Sequence, residues 1–496
     1  MLSYFPIILI GYSGITSFKT LNFAVITIAA VIGIALFVLR RSGIRSFIGK
    51  ERFKSLSVSS WFLIGFVFVQ IVSTLISPYA WRQNPDGLPT GLFGYGRCEG
   101  LVIQLLYAAA FVIISRAGSF ALSAVRILTV TMIIMNAVAI IQLFGINFLW
   151  FYPSDTMLTE QYFGVFYSTI GNVDILGSFY CIALTFVFGG FVFGKDRRVG
   201  WNIAQIIAVA TGVFTVIEIN VSAALLAFGV TAVLFLPLFI VKGSAKKTLV
   251  LLSASAVFAA FALSFDRVLD ADKKQIILSF SFTNTAAAAL VAAALLLLLY
   301  FIIGRIKHRP SDKAALFAMY ITEAVFIIGF FVWLKWFYTV SDGSSDLVRE
   351  LSSLVRGEIN DYSGTHRIAI WKCSFKVFSE YPVFGVGAGA FQPAFADISG
   401  EAYKQYSSLS VDMAHNDYLQ TACSYGAVGF SALLGFIVSL FCEGIKKAKT
   451  DRFAITLLAA LFCYAAQAFF SFSIVFVFPI CIALAAMLKA ECGIDK

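Results

Sequence analysis

The sequence predicts an all-α polytopic membrane protein with about 12–14 transmembrane helices and one large extracytoplasmic loop. Of its 496 residues, 60% are hydrophobic and only 13% are charged, whereas a soluble domain has about half apolar and a quarter charged residues. The mean hydropathy is +0.88. Apolar runs of about 20 residues, each long enough to cross the hydrocarbon core as a helix, recur from end to end. We therefore expect one membrane domain over residues 1–496.

These apolar runs define the predicted transmembrane segments in chain order. The spans are 2–16, 21–39, 57–77, 101–115, 121–144, 172–194, 201–219, 222–241, 248–264, 280–303, 314–339, 414–441, 453–470 and 474–489. The first run has neither a basic leader nor a small-residue cleavage site, so we interpret it as a retained span and not as a signal peptide.

The basic residues cluster in the loops between these spans. The clusters lie within 40–54, 195–198, 242–247, 305–313 and 446–452. All of them fall on one side of the predicted bundle, which the positive-inside rule identifies as cytoplasmic. Topology therefore explains the net charge of +10 better than nucleic-acid binding does, and we expect no nucleic-acid partner. The segments predicted to lie outside are 78–100, 145–171, 265–276 and 340–413.

The segment 340–413, which precedes the span 414–441, is too long for an ordinary connection and is therefore expected to be functional. Apolar residues recur in it at helical spacing in two places: Leu347, Leu351, Leu354 and Val355, and then Ile368, Trp371, Phe375 and Phe378, before Pro382. This pattern predicts two amphipathic helices that lie at the membrane surface.

The second of these helices contains an arginine that is a candidate for anion binding. Thr365 is expected to cap a helix that begins at His366, which would place Arg367 in the first turn. An arginine held there presents a planar fork that matches a phosphate or diphosphate. An arginine near a membrane interface also commonly reaches to lipid phosphate, so this structural role stays open.

A histidine occupies a similar position before the last long predicted span. Asp412 is expected to cap that span, so His415 and Asn416 would lie at a helix N-terminus, where anions are favoured and imidazolium is disfavoured. A neutral imidazole is suited to act as a general base. Beside an arginine, it could help to join a phosphate-bearing donor to an acceptor hydroxyl.

The catalytic candidates are therefore His415 and Arg367, and the substrate-binding candidates are Arg97, His366 and Asn416. The chain has three histidines; two of them fall in or beside the long external segment, and the third, His308, lies in a basic loop. Arg97 precedes a span and serves either as an interfacial anchor or as a second anion contact. The sequence has no Cys/His cluster of metal-binding spacing, so no metal or cofactor is expected.

The external residues resemble the O-antigen ligase and O-antigen polymerase family. That family carries an Arg-x-x-x-Trp segment, a Pro-x-x-Gly-x-Gly turn and a His-Asn-x-Tyr-Leu-Gln string. The matching segments here are Arg367 to Trp371, Pro382 to Gly387 and His415 to Gln420, followed by Gly426 and Gly429. Two upstream strings also look familial: 97–101 and 171–174.

The resemblance implies an inverting, metal-independent transfer of a glycan from undecaprenyl diphosphate to an acceptor on a glycan, lipid or protein. Arginines such as Arg367 would hold the diphosphate, and His415 would assist the acceptor hydroxyl. The implied location is the bacterial cytoplasmic (inner) membrane, among membrane lipids, with the active face outside. The implied process is cell-envelope biogenesis, in which the product is lipopolysaccharide or capsule. The enzyme would be either a ligase or a polymerase.

One departure from the family pattern leaves two alternatives open. The family often has a Ser-Arg-Gly string at the start of a middle span, where this chain has Ser222, Ala223 and Ala224. A phosphate-binding arginine is therefore missing. Either Arg97 or another external base takes its place, or activity is altered or lost and the chain is a catalytically inactive relative. Independently of this departure, a flippase or another transporter of lipid-linked glycan is an alternative function, for which Glu323 within a predicted span is the best feature.

Overall fold

The structure, a computed structural model, describes residues 15–47, 56–116, 120–147, 166–194, 196, 198–270, 275–303, 305, 311–339, 346–407 and 410–490. Most of the predicted span 2–16 lies outside these residues. So do much of the predicted external segment 145–171 and parts of the basic clusters, including His308.

Helices account for most of the described chain. They are α1 Ile15–Phe47, α2 Val58–Ile76, α3 Thr90–Phe93, α4 Leu101–Ser115, α5 Ala121–Leu143, α6 Val173–Phe193, α7 Val199–Ile219, α8 Ser222–Val241, α9 Ala245–Ala262, α10 Asn284–Ile303, α11 Asp312–Trp336, α12 Asp346–Arg356, α13 Arg367–Glu380, α14 Phe391–Tyr403, α15 Asp417–Lys447, α16 Ala454–Gln467 and α17 Phe478–Lys489.

Two antiparallel hairpins make up the sheet of the described residues. Strand β1 Phe166–Tyr167 pairs with β2 Gly171–Asn172. Strand β3 Phe265–Asp270 pairs with β4 Gln275–Phe280, from Phe265 opposite Phe280 to Asp270 opposite Gln275. The second hairpin occupies most of the predicted external segment 265–276, for which the sequence predicted no secondary structure.

The predicted all-α polytopic class is confirmed. Ten described helices are long and apolar enough to cross a membrane, and three shorter apolar helices, α4, α16 and α17, coincide with other predicted spans. At 1.5 Å per residue, α16 and α17 are each about 20 Å long, less than the roughly 30 Å of the hydrocarbon core. Irregular backbone between them therefore completes the crossing, and such backbone is tolerated where protein surrounds it.

Helix α6 lies at the centre of the bundle, because 94% of its most apolar stretch is buried inside the protein. Two adjacent glycines let its neighbours approach closely. A Cβ atom on Gly189 would lie 2.6 Å from the Thr456 side chain of α16, and one on Gly190 would lie 2.7 Å from Val125 of α5. Small residues at such crossings are the usual means of packing helices in membranes.

The loops that carry basic residues meet at one end of this bundle. Arg126 pairs with Asp196 at 2.6 Å, and Lys242 pairs with Asp312 at 2.7 Å. The Arg452 guanidinium donates to the main-chain oxygen of Lys242 at 2.8 Å. The predicted grouping of these loops therefore agrees with the contacts, and the candidate site lies at the opposite helix ends.

Helix α13 confirms the helix predicted before Pro382, but its packing has a feature that the sequence did not predict. The buried residues are Ala369, Ile370, Cys373, Ser374 and Val377. They pack against α14, which was not predicted, and Trp371 and Phe378 of the aromatic face are partly buried against the same cluster. Phe375 on that other face is 58% exposed, which leaves it free to contact lipid.

A break in α15 anchors the turn 382–389, which was predicted as a turn. Gly426 interrupts the helix with φ 65° and ψ −172°, and the freed backbone groups bond to the turn. Main-chain amides donate to main-chain carbonyl oxygens in four pairs, with these N–O distances: Val386 to Cys423 (2.9 Å), Gly387 to Ser424 (2.8 Å), Ala427 to Pro382 (2.8 Å) and Val428 to Val383 (3.3 Å). Pairing of this kind satisfies polar backbone that would be costly in an apolar environment.

Replacement of Gly426 with alanine is expected to destabilise the protein by about 3 kcal/mol, because the conformation is left-handed and the site is overpacked. A Cβ atom there would lie 2.2 Å from the Val383 carbonyl. The thermal unfolding midpoint in detergent measures the effect. Gly229→Ala in α8 is the matched control, since its Cβ would meet nothing within 4 Å. Equal midpoints for the two variants would contradict the prediction.

Candidate functional site

Arg367 begins α13 after three consecutive residues in left-handed conformation. Gly364, Thr365 and His366 have φ angles of 64°, 54° and 66°. His366 is the N-cap residue and makes no side-chain cap hydrogen bond. The predicted cap by Thr365 is therefore wrong, because a capping side chain requires extended backbone that this turn does not provide. Strained backbone of this kind concentrates at functional sites.

Neutral oxygen atoms hold the Arg367 side chain. Its Nε donates to the Phe470 carbonyl at 3.1 Å. Its Nη1 donates to the Gly364 carbonyl at 3.0 Å and to the Thr365 hydroxyl at 2.9 Å. Its Nη2 has Asp174 Oδ1 at 3.7 Å, a loose ion pair. The guanidinium is thus fixed in place while Nη2 stays available to a ligand.

His415 lies in the residues that lead into α15. Its own φ is 49°, and Asn416 caps the helix by accepting from the Tyr418 and Leu419 amides, each at 3.0 Å. The prediction that Asp412 caps this helix is therefore wrong. The Asp412 carboxylate is instead engaged by Arg97, which is 315 residues away in sequence.

The His415 ring is set against Phe472, with ring centroids 5.2 Å apart in an edge-to-face arrangement. Among the described residues, neither ring nitrogen has a hydrogen-bond partner. Burial and the positive charge of Arg367 lower the pKa of His415 below its ordinary value, with a smaller contribution from Arg97, although Asp174 and Asp412 act in the opposite direction. The imidazole is therefore neutral near pH 7 and can accept a proton.

Arg97 contacts the same phenyl ring. Its guanidinium carbon is 5.0 Å from the Phe472 ring centroid, and Nε and Nη2 contact Asp412 Oδ2 at 2.7 Å and 2.6 Å. Both side chains of the pair are more than a quarter exposed. Arg97 is followed by Cys98, another left-handed residue, with φ 58°.

The fold thus brings together three of the five predicted site residues: Arg97, Arg367 and His415. Two neighbours, Asp174 and Phe472, had no role predicted from the sequence, although Asp174 ends the string 171–174 that resembles the family. Asp174 could have been found as an acidic residue at the start of an apolar span. Phe472 carries no such signal, because aromatic residues are frequent throughout this chain.

The other two predicted residues have more local surroundings. The carboxamide oxygen of Asn416 is used in capping α15, and the side chain is only 6% exposed. The His366 ring packs edge-to-face on Tyr362 at 5.4 Å, and its Nδ1 is buried without a hydrogen-bond partner in the described residues.

An elongated cavity is lined by Arg97, although not by His415 or Arg367. At the external end its walls include Tyr95, Arg97, Gln392 and Asp412. It follows α15 from Asp417 to residues near the opposite side of the bundle, where the lining is apolar: Leu433, Phe436, Ile437, Leu440, Phe441, Leu461, Ile482 and Ala485. The 25 residues from Asp417 to Phe441 correspond to about 36 Å of helix, close to the thickness of a hydrocarbon core.

The segment without the expected arginine lies next to α6. Ala223 is 7% exposed, and a Cβ atom on Gly177 of α6 would lie 3.2 Å from Ala224. Arg267 of β3 is the nearby external base, but its Nε lies 3.4 Å from Glu218 Oε2 in a largely buried pair. Arg97, which shares the Phe472 ring with His415, lies at the candidate site.

The described residues contain no group of three or more His, Cys, Asp and Glu side chains placed to hold a metal ion. Positive charge at the candidate site comes from the two arginines, Arg97 and Arg367. Such fixed cations can stabilise a developing negative charge in a site that excludes water.

The fold and the site define a multi-pass membrane protein in which a neutral histidine lies near two arginines, one of which, Arg97, lines a long and mostly apolar cavity. Residues 274–434 match the family model described as O-antigen ligase. This region is therefore similar to O-antigen ligases, and the predicted family resemblance is confirmed. It contains Arg367 and His415, whereas Arg97, Asp174 and Phe472 lie outside it. No curated protein matches the chain. Together these findings support an O-antigen ligase-like membrane enzyme.

The rate of the catalysed reaction is expected to fall with acidification only below pH 6.5, the ordinary pKa of histidine. The sign follows from the lowered pKa, since the neutral base persists to more acidic pH. Asp174→Asn removes a charge that raises this pKa and should move the acid limb further down in a pH–rate profile. Asp397→Asn is the control, because Asp397 pairs with the exposed Arg82. An acid limb above pH 6.5 would count against the assignment.

Proposed function

We propose that this protein is a glycosyltransferase of the O-antigen ligase or polymerase type, which moves a glycan from undecaprenyl diphosphate to an acceptor hydroxyl. The observation that carries the proposal is the combination of a neutral imidazole, His415, with a fixed and partly unengaged guanidinium, Arg367. The acceptor hydroxyl belongs to a glycan, a lipid or a protein.

The proposed reaction forms a bond between the acceptor oxygen and the anomeric carbon. The bond from that carbon to the diphosphate oxygen breaks, and the diphosphate keeps the electron pair. His415 takes the proton of the acceptor hydroxyl, as a base with unbonded ring nitrogens can. Arg367 and Arg97 stabilise the negative charge that develops on the leaving diphosphate.

The shape and polarity of the cavity support a lipid-linked donor. Its external end has the cation of Arg97, whereas its walls beyond the middle of α15 are leucine, isoleucine and phenylalanine. A ligand with a charged head and a long hydrocarbon tail matches both parts, because each part meets an environment of its own polarity. Undecaprenyl diphosphate has this build.

The flippase alternative receives less support. Glu323 lies on α11, whose apolar window is 0% buried, and it does not line the cavity that contains Arg97. Its Oε2 has no hydrogen-bond partner in the described residues, and therefore makes no hydrogen bond to His415 or Arg367. A translocation path would be expected to connect such groups.

A strain that lacks the protein tests the proposal against the flippase alternative. We expect carrier-linked glycan to accumulate at the external face of the cytoplasmic membrane, where an externally added lectin or glycosidase reaches it. The strain should behave in the same way when it expresses His415→Gln at normal levels. Glycan confined to the cytoplasmic face would overturn the transferase proposal and favour a flippase.

A further inference from the structure

The turn of residues 468–477, between α16 and α17, contacts all three candidate site side chains. The Phe470 carbonyl accepts from Arg367 Nε. The Phe472 ring lies against both His415 and Arg97, at 5.2 Å and 5.0 Å. The position of this turn therefore sets the relative positions of the imidazole and the two guanidinium groups.

The carboxyl groups of Asp417 and Glu99 hold the turn. Asp417 in the first turn of α15 accepts from the Ser473 amide at 3.0 Å and also from the Ser473 hydroxyl. Glu99 accepts from the Val475 amide at 2.9 Å. These bonds fix backbone amides on either side of Ile474, so the segment that carries Phe472 is tied to two distant parts of the chain.

Glu99 is itself firmly placed. It is 9% exposed, and it accepts from Tyr107 Oη at 2.9 Å and from Gln104 Nε2 at 3.2 Å, both on α4. It is two residues from Arg97, with the left-handed Cys98 between them. One short segment thus carries Arg97 and also anchors the turn whose phenyl ring lies beneath Arg97.

We propose that Glu99 is a positioning residue for glycan transfer, which holds Phe472 against His415 and Arg97 through the Val475 amide. This role rests on the proposed function. Glu99 touches neither candidate catalytic side chain and acts through the turn. A displacement of about 1 Å at such a site can slow a reaction by about 100-fold.

Burial raises the pKa of Glu99 to about 8, although the hydrogen bonds from Tyr107 and Val475 lower it and Asp417 raises it further. The tyrosines Tyr425 and Tyr464 also face this carboxyl group. The neutral form therefore predominates near pH 7. A glutamine at this position keeps an acceptor oxygen for Val475 and is expected to replace Glu99 well, whereas an alanine is not.

The test compares Glu99→Ala and Glu99→Gln with wild type in nanodiscs that contain undecaprenyl diphosphate-linked glycan. Glu99→Ala should lower kcat by about 10- to 100-fold, with the donor KM within about threefold, and should speed amide hydrogen exchange in peptides covering 468–477. Glu99→Gln should stay within about threefold of wild type in kcat and retain slow exchange. Phe472→Leu leaves Glu99 and its bond to the Val475 amide in place and should lower kcat to a similar extent. This second variant keeps the test decisive if Glu99→Ala does not fold.

Glu443→Gln is the matched control. It removes the charge of a partly buried glutamate that pairs with Lys489 at 2.5 Å, at the other end of the bundle. It should leave both kcat and exchange in the turn unchanged. Faster exchange in Glu99→Ala with a wild-type kcat, or unchanged exchange, would overturn the positioning role but not the proposed function. A wild-type protein that transfers no glycan would overturn the proposed function and this role with it.

Discussion

Replacement of His415 with glutamine is expected to lower the rate of glycan transfer by about 10²- to 10⁴-fold, the usual contribution of a positioned general base. Glutamine fills a similar volume and keeps polar atoms, but it cannot take a proton from the acceptor hydroxyl at neutral pH. The neutral imidazole beside Phe472 is the basis of the prediction. Initial rates with saturating donor and acceptor measure the loss in kcat.

His308→Gln is the matched control, since His308 falls in a predicted basic cytoplasmic loop and has no proposed part in the reaction. Its rate should equal that of wild type. Both variants should reach normal levels in the membrane. A His415→Gln protein that retains full activity would exclude His415 as the base.

Replacement of Arg367 with lysine is expected to lower kcat/KM for the lipid-linked donor by about 100-fold or more. The guanidinium bonds at once to the Phe470 carbonyl, the Gly364 carbonyl and the Thr365 hydroxyl, and still leaves Nη2 beside Asp174. An ammonium group is a compact point charge and cannot make these contacts together. Because lysine retains the positive charge, the loss of kcat/KM would measure the contribution of the guanidinium geometry.

Arg82→Lys is the control for this substitution. Arg82 also lies in a predicted external segment and pairs with Asp397, but both side chains are nearly half exposed, and such surface pairs contribute about 0–1 kcal/mol. Its kcat/KM should not change. If Arg367→Lys were as active as Arg82→Lys, the diphosphate-binding role would be excluded.

The predicted membrane spans were largely correct because hydropathy is a local property of the chain. The main difference is at the N-terminal side, where residues 17–20 were predicted to separate two spans. In the structure they lie within the continuous helix α1. Lys19 in this stretch is 6% exposed and lies 4.6 Å over the Phe476 ring. A tertiary partner, not visible in local sequence, makes that charge compatible with the helix.

The sequence predicted only the part of the candidate site that depends on local patterns. Arg367 and His415 follow from motifs that are close in sequence. The pairing of Asp412 with Arg97 joins residues 315 apart, and the bond from Val475 to Glu99 joins residues 376 apart. A local capping rule assigned Asp412 to the nearest helix, and a long-range ion pair overrode it.

The helix faces show the same limit. The periodicity of aromatic residues correctly predicted the helix before Pro382, but it did not reveal that α14 would cover the opposite side, including Ala369 and Cys373. Small residues give a weak hydrophobic signal. Their burial depends on a neighbouring helix that periodicity alone did not predict.

Reconstitution in nanodiscs with undecaprenyl diphosphate-linked glycan tests the central claim most directly. Wild type is compared with Arg367→Ala and His415→Ala, with donor alone and with candidate acceptors, and product length and released lipid diphosphate are measured. The account predicts that wild type releases lipid diphosphate as it transfers glycan and that both variants fail to do so. Chain growth from donor alone would identify a polymerase, and one-step capping of an added acceptor would identify a ligase. Equal transfer by wild type and both variants would contradict the account.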